Sequence, residues 1–269
     1  MSKIPTMSEE ELLELEKTVP VIGQGDDAPP IKVAICLPTH DMVPAGFMYD
    51  LTQMVGVWCA TAVADGHSDL AINMVQATII HAGREELAQQ AILGEATHLL
   101  WCDTDHRFPK DALHRLFMHR KDIVGINYSM RRFPPDFVAF ESIDVENRKL
   151  KKLVTDENST GLQKAAAIGF GLTLVKTEVF LAMEKPWFDF TWIGPGAEWT
   201  GEDVHFCQKA TELGYDIWVD ADLSKECTHI GQFQYRLEHA ACITEEQRKE
   251  YREADEGEPA LEQVMEIGG

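Results

Sequence analysis

Short apolar runs alternate along the first half of the chain with segments whose apolar residues recur every three or four positions. Residues 31–38 form a β-rich apolar run that ends at Pro38, which is typical of a buried strand. Apolar residues at helical spacing from 45 to about 64 predict a helix that packs by one face. Residues 70–74 predict a second strand, and we expect a helix to begin at His81.

The same order continues into the middle of the chain. The apolar run 99–102 predicts a third strand, residues 109–120 a helix and residues 122–127 a further strand. Strands that alternate with helices are typical of a parallel sheet covered by helices on both faces. The sequence therefore predicts an α/β fold, a three-layer α/β/α sandwich with a Rossmann-like, mostly parallel sheet.

The second half is less regular and predicts a small antiparallel portion. Residues 137–140 and 149–154 look like the strands of a hairpin. Residues 164–176 predict one longer strand that contains Gly169 and Gly171. Glycines inside a strand often mark a bulge or a close backbone approach by a ligand, so these two are candidates for contact with a bound molecule.

An aromatic segment and a helix follow. Residues 186–199 are aromatic, contain glycine and lack a clear period, so we expect a loop with binding potential. A helix is predicted over residues 202–213 with Gly214 as its C-terminal cap, then a strand at 217–219 and a short edge segment at 228–231.

The two ends of the sequence differ from its body. Residues 1–30 predict a short helix and a linker, because a capping pattern begins at Ser8 and a stretch rich in glycine and proline follows. We expect the main domain to span residues 31–232, and residues 233–269 to form a charged helix and an acidic tail.

Composition narrows the classes of partner. Asp plus Glu number 45 against 24 Lys plus Arg in 269 residues, a formal net charge of −21. Such a charge repels nucleic-acid phosphates and anionic membranes. The six cysteines contain no CxxC pair and predict free thiols in a reducing compartment. No signal-peptide pattern is present, and no apolar run reaches the ~18 residues of a membrane helix, so we expect a cytoplasmic protein.

The most distinctive chemical pattern lies where the third predicted strand ends. Asp103 and Asp105 follow its apolar run, and side chains two positions apart in an extended segment project to the same side. Two carboxylates at the carboxyl end of a strand predict a divalent cation and a ligand at this edge. The alternative is an acidic turn before a helix, since Pro109 and Asp111 suit a first helical turn.

An ordered set of motifs accompanies this pattern. In chain order they are Pro38-Thr39, Arg84-Glu85-Glu86-Leu87-Ala88, Leu99-Leu100-Trp101-Cys102-Asp103-Thr104-Asp105, Gly169-Phe170-Gly171, Gly201-Glu202-Asp203-Val204-His205-Phe206-Cys207 and His229. The set extends over residues 32–231 and resembles GT-A fold glycosyltransferases, especially compact bacterial and phage-type relatives of the family-2 group. If the protein is phage-encoded, the expected compartment is the host cytoplasm.

The resemblance implies transfer of a sugar from a nucleotide-diphosphate donor, such as a UDP- or GDP-sugar, with the help of Mn²⁺ or Mg²⁺. It implies that Asp105 binds the metal directly and that Asp103 contacts the ribose or reaches the metal through water. It also matches His229 to a further metal ligand, the alternative being an ordinary hydrogen-bonded histidine. Imidazole beside carboxylate and diphosphate oxygens suits manganese better than calcium.

Further residues are matched to the donor nucleotide. With Asp103, they are Pro38, Thr39, Asp41, Arg84, Gly169 and Gly171. At a helix start, Arg84 would add a fixed positive charge near the diphosphate, and its alternative is a surface ion pair with Glu85 or a neighbouring residue. For the residues after the first strand, the alternative is an ordinary strand-to-loop exit.

Glu202 and Asp203 match the acid pair at the start of the acceptor-side helix. In inverting members an acid here is the general base that deprotonates the acceptor hydroxyl. The alternative is a helix N-terminal charge without a catalytic role. Trp192 and Trp199 lie just upstream, where aromatic faces would either bind an acceptor sugar or cover the core. Because a metal-site histidine is common among retaining members, the stereochemistry stays open.

The acceptor itself is not readable from the sequence. Arg131 and Arg132 would hold a donor phosphate or an acidic acceptor, or they are exposed basic residues. A modified DNA base is a possible acceptor that the net charge disfavours.

Other classes of function stay open. A metal-dependent hydrolase or phosphoesterase would use a cluster formed by His40, Asp41, Asp103, Asp105, His106 and His229. A non-catalytic carbohydrate-binding module would use Trp187, Trp192 and Trp199. A nucleotidyltransferase would need a phosphate loop rich in glycine and lysine after the first strand, and residues 38–46 contain no such loop.

Overall fold

The computed structural model describes residues 31–63, 68–131, 135–144, 149–194 and 198–231. The described residues up to Ile230 belong to one compact unit. The helix and linker predicted for residues 1–30, and the helix and tail predicted for residues 233–269, lie outside the described ranges.

The strands and helices of the described residues are as follows. The strands are β1 (Ile31–Thr39), β2 (Ser68–Gln76), β3 (His98–Cys102), β4 (His106–Arg107), β5 (Ile123–Gly125), β6 (Phe140–Asp144), β7 (Lys149–Lys152), β8 (Leu162–Ala165), β9 (Leu172–Lys176), β10 (Thr191–Gly194), β11 (Glu198–Thr200), β12 (Ile217–Asp220) and β13 (Thr228–His229). The helices are α1 (Ala45–Trp58), with a π-helical continuation over Cys59–Val63, α2 (Ile80–Leu93), α3 (Ala112–Met118), α4 (Thr177–Ala182), α5 (Glu202–Glu212) and α6 (Ala221–Glu226).

Seven strands form the central sheet in the order β2-β1-β3-β9-β5-β12-β8. The strands β1, β2, β3, β5 and β12 run parallel to one another, whereas β9 and β8 run antiparallel to their neighbours. This confirms the predicted α/β fold with a mostly parallel sheet and a smaller antiparallel portion.

Strand β1 shows how the sequence produces three layers. Successive side chains of a strand point to opposite faces. Val33, Ile35 and Leu37 enter the core cluster that α1 and α3 cover. Ala34 and Cys36 enter the cluster that α2 and α5 cover. Because both faces of β1 are buried under helices, its sequence is a continuous apolar run rather than an alternation.

Aromatic rings fill the cluster under α2, α4 and α5. The ring of Phe206 lies 5.0 Å from Phe180, 5.1 Å from Phe170 and 5.2 Å from Phe188, measured between centroids. Trp187 belongs to the same cluster, and its indole N–H donates to the carbonyl oxygen of Phe180. Trp187 is therefore a core residue, 5% exposed, and not a surface for a sugar ring.

The prediction of one longer strand over residues 164–176 is wrong. It is divided into β8, which pairs with β12 at the edge of the sheet, and β9, which lies between β3 and β5. The backbone between them passes close to two rings: a Cβ on Gly171 would lie 2.5 Å from the ring of His106, and one on Gly169 would clash with Tyr128. Glycine at these two positions therefore leaves room for the rings of Tyr128 and His106. The predicted contact of these glycines with a donor stays untested.

The aromatic segment 186–199 was expected to be a loop, and this expectation is wrong for its second part. The backbone of β10 and β11 forms a hairpin in which Trp192 pairs with Trp199. Its first part is anchored by Glu85, whose carboxylate accepts hydrogen bonds from the backbone N–H groups of Trp187 and Phe188. Glu85 therefore anchors the backbone of this segment, and the ion pairs of Arg84 are formed with Asp103 and Glu202 instead.

Two further expectations concern the environment of the protein. Cys36, Cys59, Cys102, Cys207 and Cys227 are free thiols, as predicted, and Cys242 lies outside the described residues. No helix within the described ranges has the length and apolar character needed to span a membrane.

Replacing Phe188 by alanine tests the aromatic core. Phe188 is 1% exposed, and removing a buried ring costs about 3–5 kcal/mol, so we expect the melting temperature to fall by roughly 10 °C. Phe190→Ala, at a position 38% exposed, is the matched control and should cost about 1 kcal/mol or less. Equal losses in the two variants would contradict the assigned core.

Candidate metal and carboxylate site

A turn separates Asp103 and Asp105 in space. Strand β3 ends at Cys102, and the backbone N–H of His106 donates to the carbonyl oxygen of Asp103 at 3.3 Å. The extended geometry expected here is therefore wrong, because a turn abolishes the alternation of an extended strand. The carboxylate of Asp103 faces Arg84, whereas that of Asp105 faces two histidines and Arg131.

Asp105 lies in a cluster with His106 and His229. Strands β4 and β13 pair His106 with His229, and the backbone N–H of Ile230 donates to the carbonyl oxygen of Asp105 at 2.6 Å. The two imidazole rings stack with 4.4 Å between centroids. One ligand atom from each of Asp105, His106 and His229 lies within 4.8 Å of the others, as expected of a metal site.

The hydrogen bond on the far side of His229 defines which nitrogen faces Asp105. His229 Nδ1 lies 2.9 Å from the carbonyl oxygen of Ser129, which only accepts, so Nδ1 carries the hydrogen. In the neutral ring, Nε2 then presents a lone pair to Asp105 Oδ2 at 3.4 Å. A proton or a cation between these two atoms would turn the contact into an attractive one, and Arg131 also lies 2.8 Å from the same Oδ2. Two ligands about 2.1 Å from one ion lie roughly 3.0–3.4 Å apart at angles near 90–110°. These residues therefore fit a divalent metal.

His106 is buried beside Asp105 and contacts its other carboxylate oxygen. Its ring is 1% exposed, and its Nδ1 lies 3.1 Å from Asp105 Oδ1. Its Nε2 has no hydrogen-bond partner in the described part of the chain. From sequence, His106 is a candidate only in the hydrolase alternative, because the β4–β13 pairing that buries it joins segments more than 120 residues apart.

The charge of Asp105 is strongly favoured. Burial by itself would raise the pKa of this carboxyl, but the hydrogen bond from His106, the contact with His229 Nε2 and the charge of Arg131 hold the pKa of Asp105 well below its ordinary value. The anionic form of Asp105 is thus favoured at neutral pH, which suits a metal ligand.

Arg84 is the centre of a second group of charges. Its side chain extends inward from α2 and is 3% exposed. Nε lies 3.0 Å from Glu202 Oε1, and Nη2 lies 2.9 and 3.2 Å from the two carboxylate oxygens of Asp103. The guanidinium also lies over the rings of Trp101 and Phe170. Two carboxylates therefore neutralise the charge that the sequence analysis matched to a donor diphosphate.

Glu202 and Asp203, the predicted acid pair, have different environments. Glu202 is 9% exposed and pairs with Arg84. Asp203 is half-buried, and its Oδ1 accepts from the backbone N–H of Val204 at 2.7 Å. Burial and the neighbouring charge of Glu202 raise the pKa of Asp203 to about 6. Such a carboxyl exchanges a proton near neutral pH, as a general base must.

The end of β1 lies at the same edge of the sheet. Pro38 and Thr39 are the last residues of β1, and the hydroxyl of Thr39 donates to the carbonyl oxygen of His40. Asp41 accepts a hydrogen bond from the side-chain amide of Gln76, the last residue of β2. Ligands of α/β proteins bind beyond the carboxyl ends of parallel strands. These residues and Asp103 therefore follow strand ends at that edge.

The structure brings together only some of the residues of each predicted site. Within the described ranges, the metal-type cluster contains Asp105, His106 and His229, so it holds three of the six residues of the hydrolase alternative. Asp103 is not one of its members and pairs with Arg84 instead. The roles matched to Trp192 and Trp199 stay predictions, and Arg132 lies outside the described residues.

Comparisons with known proteins identify only distant structural similarities. No protein-family model and no curated protein matches the chain. Among solved structures, A197 from STIV is 13% identical, with a TM-score of 0.46 over 77% of this chain and 97% of that one. A protein assigned as a glucose-1-phosphate thymidylyltransferase from Bacillus anthracis, solved with sucrose, is 11% identical, with a TM-score of 0.36 over 74% and 92%. Neither similarity is high enough to indicate a function.

Replacing Asp203 by asparagine tests its electrostatic state. Since the folded-state pKa of about 6 exceeds the ordinary 3.8, the native protein loses stability as the pH rises through this interval, and the variant does not. We expect Asp203→Asn to be more stable than the native protein by about 1–3 kcal/mol above pH 7 and equal to it near pH 4.

Urea denaturation at the two pH values measures this difference. Asp216→Asn, which changes an exposed carboxylate paired with Lys164, is the control and should show no such gain. A native protein as stable as Asp203→Asn above pH 7 would contradict the raised pKa.

Proposed function

We propose that this protein is a divalent-metal-dependent glycosyltransferase that moves a sugar from a nucleotide-diphosphate donor to an acceptor hydroxyl. The observation that carries the proposal is the cluster of Asp105, His106 and His229, in which His229 Nε2 lies 3.4 Å from Asp105 Oδ2 beyond the end of strand β3. A separate carboxyl with a raised pKa, Asp203, lies on α5. The resemblance of the ordered motifs supports the same reading.

In this proposal Asp105 and His229 hold Mn²⁺ or Mg²⁺. When bound, such an ion acts as a Lewis acid that stabilises the charge developing on the diphosphate leaving group. His106 fixes the second carboxylate oxygen of Asp105, so that Oδ2 faces the metal position. The hydrogen bond from His229 Nδ1 to Ser129 orients the imidazole in the same way.

Asp203 is the proposed general base. Its carboxylate takes the proton of the acceptor hydroxyl, while the hydroxyl oxygen forms a bond to the anomeric carbon and the bond from that carbon to the diphosphate breaks. A base on the acceptor side leads to inversion at the anomeric carbon, because the acceptor enters opposite the leaving group. The hairpin with Trp192 and Trp199 directly precedes α5 and is the proposed acceptor side.

Arg84 has a different proposed role from that matched by sequence. Because Asp103 and Glu202 bind its Nη2 and Nε, and its Nη1 is buried, we assign it to positioning these carboxylates rather than to binding phosphate. Asp103 would present its remaining acceptor capacity to the ribose. Pro38, Thr39 and Asp41 would contact the nucleobase and ribose from the end of β1, with Gly169 and Gly171 contributing close backbone approach.

Metal-dependent donor binding is the first test. We expect Mn²⁺ together with at least one of the UDP-, GDP-, TDP- or CDP-sugars to raise the melting temperature, because a ligand that binds only the folded state stabilises it. Asp105→Asn should abolish this shift, whereas Asp216→Asn should retain it. The absence of any manganese-dependent shift would refute the proposal, and hydrolysis of phosphoesters without sugar transfer would favour a hydrolase.

The dependence of turnover on pH is the second test. A base must be ionised, so we expect kcat/KM to fall about tenfold per pH unit below pH 6. Asp203→Asn should lower kcat by about 10²–10⁴-fold while it preserves the manganese-dependent thermal shift. A variant with native turnover would show that another group takes the proton.

A further inference from the structure

Among the described residues that form ion pairs with Asp105, Arg131 is the one that the proposed function leaves unused. Its Nη1 lies 2.8 Å from Asp105 Oδ2, the oxygen that also faces His229 Nε2 at 3.4 Å. The oxygen proposed to bind the metal is therefore already paired with a cation of the chain. A guanidinium and a divalent ion on one carboxylate oxygen repel each other, so full occupancy by both is unfavourable.

The neighbours of Asp105 differ in how firmly they are held. The ring of His106 is 1% exposed, and His229 is fixed by strand pairing, ring stacking and its hydrogen bond to Ser129. The side chain of Arg131 is 52% exposed, against 13% for His229. Arg131 is thus the partner that can leave Asp105 without opening the core.

We infer that Arg131 is a resident counter-cation that the metal displaces from Asp105 and that then binds the diphosphate of the donor. This inference rests on the proposed function. Without metal, Arg131 compensates the charge of Asp105. After displacement, its guanidinium lies free beside the site, and a diphosphate is the anion that its planar fork binds best.

The exchange has a thermodynamic consequence. Binding of metal alone breaks the pair between Arg131 and Asp105, and this loss weakens metal affinity. When a diphosphate is present, Arg131 gains a new partner and the loss is offset. Metal and diphosphate therefore strengthen each other's binding through Arg131, in addition to any direct contact between them.

Calorimetric titration of Mn²⁺ into the native protein and Arg131→Gln, each with and without UDP, tests this exchange. Without UDP we expect the variant to bind Mn²⁺ about three- to tenfold more tightly, since no cation must be displaced. With saturating UDP this advantage should vanish or reverse. Arg131→Lys, which keeps the charge, should resemble the native protein without UDP, and Arg115→Gln, which breaks a pair with Glu226, should change neither titration.

The outcomes separate the inference from the proposed function. Equal Mn²⁺ affinity of the native protein and Arg131→Gln without UDP would refute the exchange and leave the metal site in place. An advantage that persists with UDP would refute the transfer of Arg131 to the diphosphate. If neither protein binds Mn²⁺, both the exchange and the proposed function fail.

Discussion

A single buried guanidinium holds the two sides of the candidate site together. Arg84 comes from α2, Asp103 follows β3 and Glu202 begins α5, so one side chain joins three elements that are distant in sequence. Both carboxylates lie near an apolar, aromatic core, where an unpaired charge costs several kcal/mol. The guanidinium therefore fixes the end of β3 and the start of α5 relative to each other, and with them Asp105 and Asp203.

The environments of Asp105 and Asp203 drive their pKa values in opposite directions. Contacts with two histidines and a nearby arginine favour the charged form of Asp105, while burial and a neighbouring carboxylate disfavour that of Asp203. Carboxyl groups separated in this way are typical of sites where one acid remains an anion and another transfers a proton. The same residue type thus provides a permanent ligand charge and an exchangeable proton in one site.

The elements that can be predicted from the sequence are those set by a local pattern of residues. The buried strand β1 was predicted almost to its last residue, because an apolar run that ends in proline has few other interpretations. Prediction failed where the outcome depends on distant contacts. The inward course of Arg84 depends on Glu202, 118 residues away, and the division of residues 164–176 depends on the rings of Tyr128 and His106. Asp105 and His229 were matched through ordered motifs, whereas the buried ring of His106 between them required the strand pairing.

The position of β9 has a consequence for how the domain is assembled. This strand, from the second half of the sequence, lies between β3 and β5 from the first half. A chain that ends before residue 172 would leave the facing edges of both strands without hydrogen-bond partners, and exposed edges of this kind promote aggregation. The parallel strands from the first half of the sequence are therefore not an independent module, and the carboxylate edge forms only after most of the domain has been synthesised.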